Sequence, residues 1–532
     1  MKTKSILLFL AFLSFTRIDA QQSLVKIDNV NYVIEDGNAY IYGFDKKATT
    51  VTIRNTVTYK KQNYTVAGIK MEDDGIHPFY DGKATSIREM VFADGVTEVF
   101  DRIAMRMEKL EKVVLPGTVT SIGYGAFSDC LSLADINMPN SVKNIDAFAF
   151  NNCKSLKSIE LPIGLQEAGA AAFKGCTNLA SMTFHCKTIG KTDWLGTIRW
   201  FLKAITIGDE VEAVDDNAFK GLGALSTVEF HCKEIGNWFS DIKSLKTIKV
   251  GKEVKSIVQD AFSGATNLSA VEFHCKEVSN WFSNNTSLEN VTIGDEVTSI
   301  GDGAFYYCPN LKTATMAENV ETIGNHAFCF CSGLTSLNLP KKLRRIGNNS
   351  FTGCSISSVF IPKNVTEIGN NPFSSCSSLE RIVVAKKNKV YYSPKRSNAI
   401  VRKSDNTLLT GCKKSFIPRG VMTVGAYAFD ECKGLSSIII PNSVVNIEQW
   451  AFEGCKGLKS VEIPGSVTSI GESAFMNCSN LTSVVINSGV ASIGKWAFQG
   501  CSSLHSADLP DTVTSIGKDA FKGCPLVEEN TE

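Results

Sequence analysis

Residues 119–139 read VTSIGYGAFSDCLSLADINMP, and the same phrase returns down the chain almost word for word. Its fixed points are Val119, Ile122, Gly123, the pair Ala126–Phe127, Cys130, Leu133, Ile136, Met138 and Pro139. The phenylalanine position recurs at Phe127, Phe150, Phe173, Phe219, Phe262, Phe305, Phe328, Phe351, Phe373, Phe429, Phe452, Phe475, Phe498 and Phe521, mostly in steps of 23 residues. Where the step doubles, a variant with Trp-Phe in place of Ala-Phe fills the gap, at Trp200–Phe201, Trp238–Phe239 and Trp281–Phe282. That makes seventeen coils, with a degraded eighteenth over Val96–Leu115, where Ile103–Ala104 stands in for the pair. Self-similarity at a short fixed period is the mark of a solenoid.

Within one coil, Leu156, Ile159 and Leu161 precede Pro162, so Ile159 and Leu161 share one face of a short strand. The proline ends the strand, since it has no N–H to give to a ladder. Leu165 then turns inward, and the segment through Ala172–Phe173 to Cys176 is expected to be a short turn or irregular returning arm that closes the coil. A coil this short cannot bury its apolar side alone, so it must stack on both neighbours, with strands about 4.8 Å apart in a parallel sheet. The fold expected is a leucine-rich-repeat solenoid. Its recurring glycine is expected at a tight turn needing positive φ.

The pattern, some seventeen copies of Val-x-x-Ile-Gly-x-x-Ala-Phe-x-x-Cys-x-x-Leu over Val96 to Cys524, resembles the BspA-like leucine-rich-repeat family of short-coil bacterial and protozoan surface proteins. The resemblance implies a right-handed superhelix and adhesive or host-interacting roles. It carries over no ligand residue, because members of the family bind differing targets.

The chain is expected to divide into a signal peptide at 1–20, a β-rich N-terminal cap at 21–95, repeats at 96–384, a basic insert at 385–417, repeats at 418–524 and an acidic tail at 525–532. The signal reading rests on Lys2 and Lys4, the apolar run Ile6–Phe15 and the small-residue site ending at Ala20. No later apolar stretch is long enough to span a bilayer, so the mature chain is expected to carry no transmembrane segment. The cap reading rests on alternating stretches at Tyr32–Ile34, Ala39–Tyr42, Val51–Ile53 and Tyr64–Val66.

The 55 Lys and Arg against 54 Asp and Glu remove the main electrostatic reason to propose nucleic acid as partner. One local departure stands out. The 56-residue step between Phe373 and Phe429 contains Lys386, Lys387, Lys389, Tyr391, Tyr392, Lys395 and Arg396, followed by Arg402 and Lys403. An insertion in a solenoid maps to an edge loop, and this one is either a contact for an acidic protein patch or glycan or a solvated hairpin replacing two coils.

Twelve of the seventeen cysteines sit three residues after the repeat phenylalanine, which favours a buried thiol ladder over bridges, since rungs in register hold their Cβ vectors parallel. The triple Phe-His-Cys-Lys at His185, His231 and His274 has zinc-like ligand types, but copies two coils apart would lie about 10 Å from one another, far beyond shared coordination. No nucleophile elbow, phosphate loop or zinc-protease helix occurs in its proper context, so neither catalysis nor a cofactor or metal is expected. The residues therefore point to a secreted or cell-surface protein that binds an extracellular protein or glycan, or else to a non-adhesive scaffold of an extracellular assembly.

Overall fold

The computed structural model describes residues 23–71, 86–190, 193–216, 218–239, 241–258, 261–262 and 264–526, so the expected signal segment, His77 and most of the tail lie outside the described residues. The chain divides into two compact units, residues 1–225 and 226–532.

The first unit opens with strands β1 (Ser23–Ile27), β2 (Val30–Glu35), β3 (Asn38–Phe44), β4 (Thr50–Ile53), β5 (Thr56–Tyr59) and β6 (Gln62–Ile69). Five of them form a sheet in the order β1-β2-β3-β6-β5. The β1–β2, β2–β3 and β5–β6 hairpins each turn on two residues of positive φ: Asp28–Asn29, Asp36–Gly37 and Lys60–Lys61. Two such residues make the loop whose twist matches that of flanking strands. Val30, Tyr32, Ala39 and Ile41 are buried beneath this sheet. β4 belongs elsewhere: it pairs in parallel with Glu89–Phe92, which pairs with Lys112–Val114. The parallel ladder thus reaches back to Thr50, inside the stretch read as a cap.

Most coils contribute a strand of up to four residues that turns alternate side chains inward, as at Ser158–Leu161, Ser181–Phe184 and Ala204–Ile207, paired in parallel and in register. A second, two-residue strand forms at the Val-x-x-Ile phrase, so that Ser121–Ile122 lies between Glu98–Val99 and Asn144–Ile145. The returning arm is made of turns, the first of its two expected forms. It carries its own ladder, in which the Phe127 N–H donates to Ala149 O and the Phe150 N–H to Ala172 O, both at 2.8 Å. In the second unit the Phe452 and Phe475 N–H groups donate in the same way to Ala474 and Ala497 at 2.7 Å. A coil is therefore held to its neighbour by three sets of backbone bonds.

The phenylalanines of that arm form the core. Phe429, Phe452, Phe475, Phe498 and Phe521 stack with centroids 4.9–5.2 Å apart and ring planes within 6°. Stacked pairs of this kind add about 0.5–1.5 kcal/mol each beyond area burial. Beside them most repeat thiols donate to a carbonyl of the preceding coil, as from Cys153 to Phe127 O at 3.2 Å and from Cys501 to Phe475 O at 3.1 Å. All seventeen cysteines are free.

Two expectations need correction. The glycine after the repeat isoleucine does not supply a positive φ; a Cβ at Gly494 would lie 2.6 Å from Glu472 N and from Gly471 C, so the residue permits close approach of two coils. Positive φ falls two residues later, at Gly125, Phe148, Trp450 and Trp496 among others. The pair Trp200–Phe201 also fails to replace Ala-Phe, for Trp200 is 67% exposed. A 3-10 segment, Asp193–Trp200, brings Trp194 within 5.9 Å of Phe173 instead, while Leu195 and Ile198 go inward.

Candidate interaction surface

The long step after Phe373 is a packed part of the second unit. Tyr391–Tyr392 runs antiparallel to Ile400–Arg402, which runs antiparallel to Thr407–Thr410. Thr407–Leu408 then pairs in parallel with Thr423–Val424, so the insert ends the row of two-residue strands that the later coils continue. Ala399, Ile400, Val401 and Leu408 are fully buried. Two side chains pin the loop between. Buried Asn388 donates to Pro362 O and Val365 O at 2.9 Å and accepts from the Val390 and Tyr391 N–H groups. Tyr391 is 5% exposed, and its hydroxyl accepts from the Ile368 N–H at 3.1 Å.

The seven candidate residues thus separate by role. Tyr391 is turned inward, and Tyr392 is half-buried against the core with its hydroxyl donating to Asn406 Oδ1 at 3.3 Å. Lys386, Lys387 and Lys389 are exposed in the loop after the strand Arg381–Val384, and Lys395 and Arg396 are exposed in the hairpin turn. None of these five cations forms an ion pair with a described residue, whereas Arg402 is held by Asp405 at 2.7 Å and Lys413 and Lys414 share Glu380. Some coils pair charges with a neighbour, as Lys112 with Glu89 at 3.3 Å, Lys312 with Glu289 at 2.9 Å, Arg344 with Glu321 at 3.4 Å and Arg345 with Glu367 at 3.2 Å.

The histidines of the Phe-His-Cys-Lys phrase each meet a glutamate. His185 Nδ1 lies 3.0 Å from Glu210, His231 Nε2 2.9 Å from Glu229, and His274 Nε2 2.9 Å from Glu272. The neighbouring cysteine thiols go the other way, Cys232 donating to Glu234 O and Cys275 to Glu277 O. Among the described residues no group of three or more His, Cys, Asp or Glu is arranged to hold a metal ion. The next coil makes room for each ring with a glycine, since a Cβ at Gly251 or Gly294 would lie 2.8 Å from the imidazole of His231 or His274.

A surface feature that the sequence reading passed over lies on the arm. Each regular coil has two positions of positive φ, one just before the repeat alanine and one two residues after the phenylalanine. They are mostly Gly, Asn, Asp or Ser, the residues that tolerate this conformation best. Aromatic side chains occupy them at His326 (φ 53°), Tyr307 (φ 54°) and Phe330 (φ 60°), and also at Phe148, Tyr427, Trp450 and Trp496. Tyr307 and Phe330 are 49% and 43% exposed. With Tyr306 they form an edge-to-face cluster, beside a shallow concavity lined by Asp302, Gly303, Tyr306, Asn325, His326 and Asn348. The departure from small or amide residues at these two positions was the available signal in the sequence.

Residues 79–195, 199–312, 298–394 and 409–528 match the BspA type leucine rich repeat region, in six copies. No curated protein is significantly similar to the chain. Among solved structures, a leucine rich cell surface protein from Faecalibacterium prausnitzii A2-165 is 22% identical over 94% of this chain and 93% of its own, with a TM-score of 0.42. A leucine-rich repeat protein from Eubacterium ventriosum is 26% identical over 50% of this chain and 85% of its own, at 0.42. An internalin from Listeria monocytogenes is 16% identical over 53% and 82%, at 0.32.

Proposed function

Since the chain belongs to the BspA-type leucine-rich-repeat family, whose solenoids support a protein-binding role, we propose that it is an exported surface protein that adheres to an acidic patch on an extracellular protein through its basic insert. The observation that carries this reading is the concentration of exposed cations. Lys386, Lys387, Lys389, Lys395 and Arg396 stand exposed without an ion pair to any described residue, in a stretch between Glu380 and Asp405 that contains no acidic residue. Exposed cations held on a rigid hairpin steer an acidic partner at little cost in ordering. Net charge near zero confines that attraction to the segment itself.

The test is binding of the chain from Gln21 to immobilised extracellular-matrix proteins and mucins at low and moderate salt. Replacing the five cations with glutamate should weaken salt-sensitive binding by about tenfold or more, chiefly through slower association. Binding that ignores both salt and the substitutions overturns the reading.

A further inference from the structure

We propose that the concavity beside Tyr306 binds a neutral pyranose unit of a glycan, at a site separate from the basic insert and independent of what that insert contacts. The floor of the site is Gly303, a position of positive φ (64°) where the absent side chain leaves room above the arm. On one side stand Tyr306 and His326, whose rings meet edge-to-face, with Tyr307 and Phe330 extending the aromatic surface. Phe330 leans over the next coil, where a Cβ on Gly353 would come within 2.8 Å of its ring. Four aromatic rings are thus gathered on one patch while two of them remain more than two-fifths exposed. Three of them sit at positions that are mostly Gly, Asn, Asp or Ser in other coils, and Tyr307 and Phe330 gain little burial there to offset the unfavourable backbone.

The other side is a fixed polar row. Asp302 accepts from the Asn325 N–H at 2.6 Å and from Asn325 Nδ2 at 3.1 Å; Asn325 Oδ1 accepts from the Asn348 N–H at 2.8 Å; Asn348 Oδ1 accepts from the Asn370 N–H at 2.7 Å. Because a backbone N–H must meet oxygen, each amide has one orientation, which leaves the Asn348 Nδ2 donors and the outer lone pairs of Asp302 for a ligand. A pyranose ring has the matching two-sided chemistry. Its C–H face lies against an aromatic ring, and its vicinal hydroxyls bridge a carboxylate and an amide. An apolar protein partner would leave the polar row unpaired, and an anionic one would be repelled by Asp302. The coil rise of about 4.8 Å is also close to the length of one sugar residue in an extended chain, so a polysaccharide lying along the arm keeps step with the amides.

The experiment is affinity electrophoresis of the chain from Gln21 in gels cast with a soluble β-glucan, a galactomannan or a xylan, with chondroitin sulfate as the anionic comparison. The disrupted protein carries Tyr306→Thr, His326→Asn and Phe330→Asn, residue types that other coils hold at the same places in Thr352, Asn349 and Asn477. These substitutions follow the local backbone preference, so the melting temperature should hold; Tyr306→Thr alone repeats the test should the triple variant melt lower. Retardation by at least one neutral polysaccharide, with apparent affinity falling tenfold or more in the variant, is expected. Retardation by chondroitin sulfate alone, by none of the four, or equally in parent and variant overturns the proposal.

Discussion

Glu453 sits where the array has to close over its insert. The coil of Phe373 meets the coil of Phe429 through Asp430, which accepts from Ser374 Oγ at 2.6 Å and from Asn371 Nδ2 at 3.1 Å. Burial raises the pKa of Asp430, and burial together with the charges of Asp430 and Glu431 pushes Glu453 up to about 7. Lys433 is spent on Glu431 at 3.0 Å, and Tyr427 is itself raised by burial and by the charges of Asp430 and Glu453. A carboxyl whose folded pKa lies above its ordinary value binds more protons folded than unfolded, so its contribution is complete below the ordinary carboxylate range and is lost as pH rises towards 7. Stability should therefore fall between about pH 5 and 7, and Glu453→Gln should flatten that slope and raise the denaturation midpoint at pH 8. A parallel shift of both proteins with pH sinks the assignment. Asp430 and Glu453 each follow a repeat phenylalanine, so the period brings them together; their burial was not legible, because Asn371 and Ser374 meet Asp430 only across the 56-residue step. Tyr391 shows the same limit: a tyrosine among lysines reads as a contact residue, yet the hydroxyl it offers is used on Ile368.

At the scale of the coil, Phe475 stacks on Phe452 at 4.9 Å and on Phe498 at 5.2 Å, so a charge there weakens two interfaces together. Phe475→Asp should cost on the order of 3 kcal/mol or more. Hydrogen exchange is the measurement: the arm amides of Phe452 and Phe475 should lose protection first, and unchanged exchange would refute the picture. The strand and the apolar period were readable because alternation writes them into the sequence. The second strand was readable only as an end at the Val-x-x-Ile phrase, and its length was not, since two residues carry no period. Trp194 escaped for another reason: the eye follows the Trp-Phe pair, but the 3-10 turn through Asp193–Trp200 places the earlier tryptophan inside.

For the molecule as a whole, seventeen free thiols form a ready report of folding. Burial pushes Cys308, Cys376 and Cys432 up to about 12, which leaves almost no thiolate at pH 8. A thiol reagent should consume roughly two equivalents or fewer in the native protein, starting at half-buried Cys432 and Cys524, and all seventeen after denaturation. A denatured count well short of seventeen would mean that bridges exist after all. The repeat family and the solenoid were legible from the phrase itself. The aromatic patch was not, because its significance lies in two backbone positions whose φ the phrase does not display.

The four stacked interfaces from Phe429 to Phe521 are nearly the same object made four times, with matching ring spacing and matching backbone bonds. Remove one 23-residue unit in frame and the surfaces brought together already fit. A gene that spells such a protein can lose or gain a whole coil by recombination between its own copies, and the product still has a closed core. Reach along the axis is then a heritable variable that lineages can lengthen or shorten without redesigning any contact.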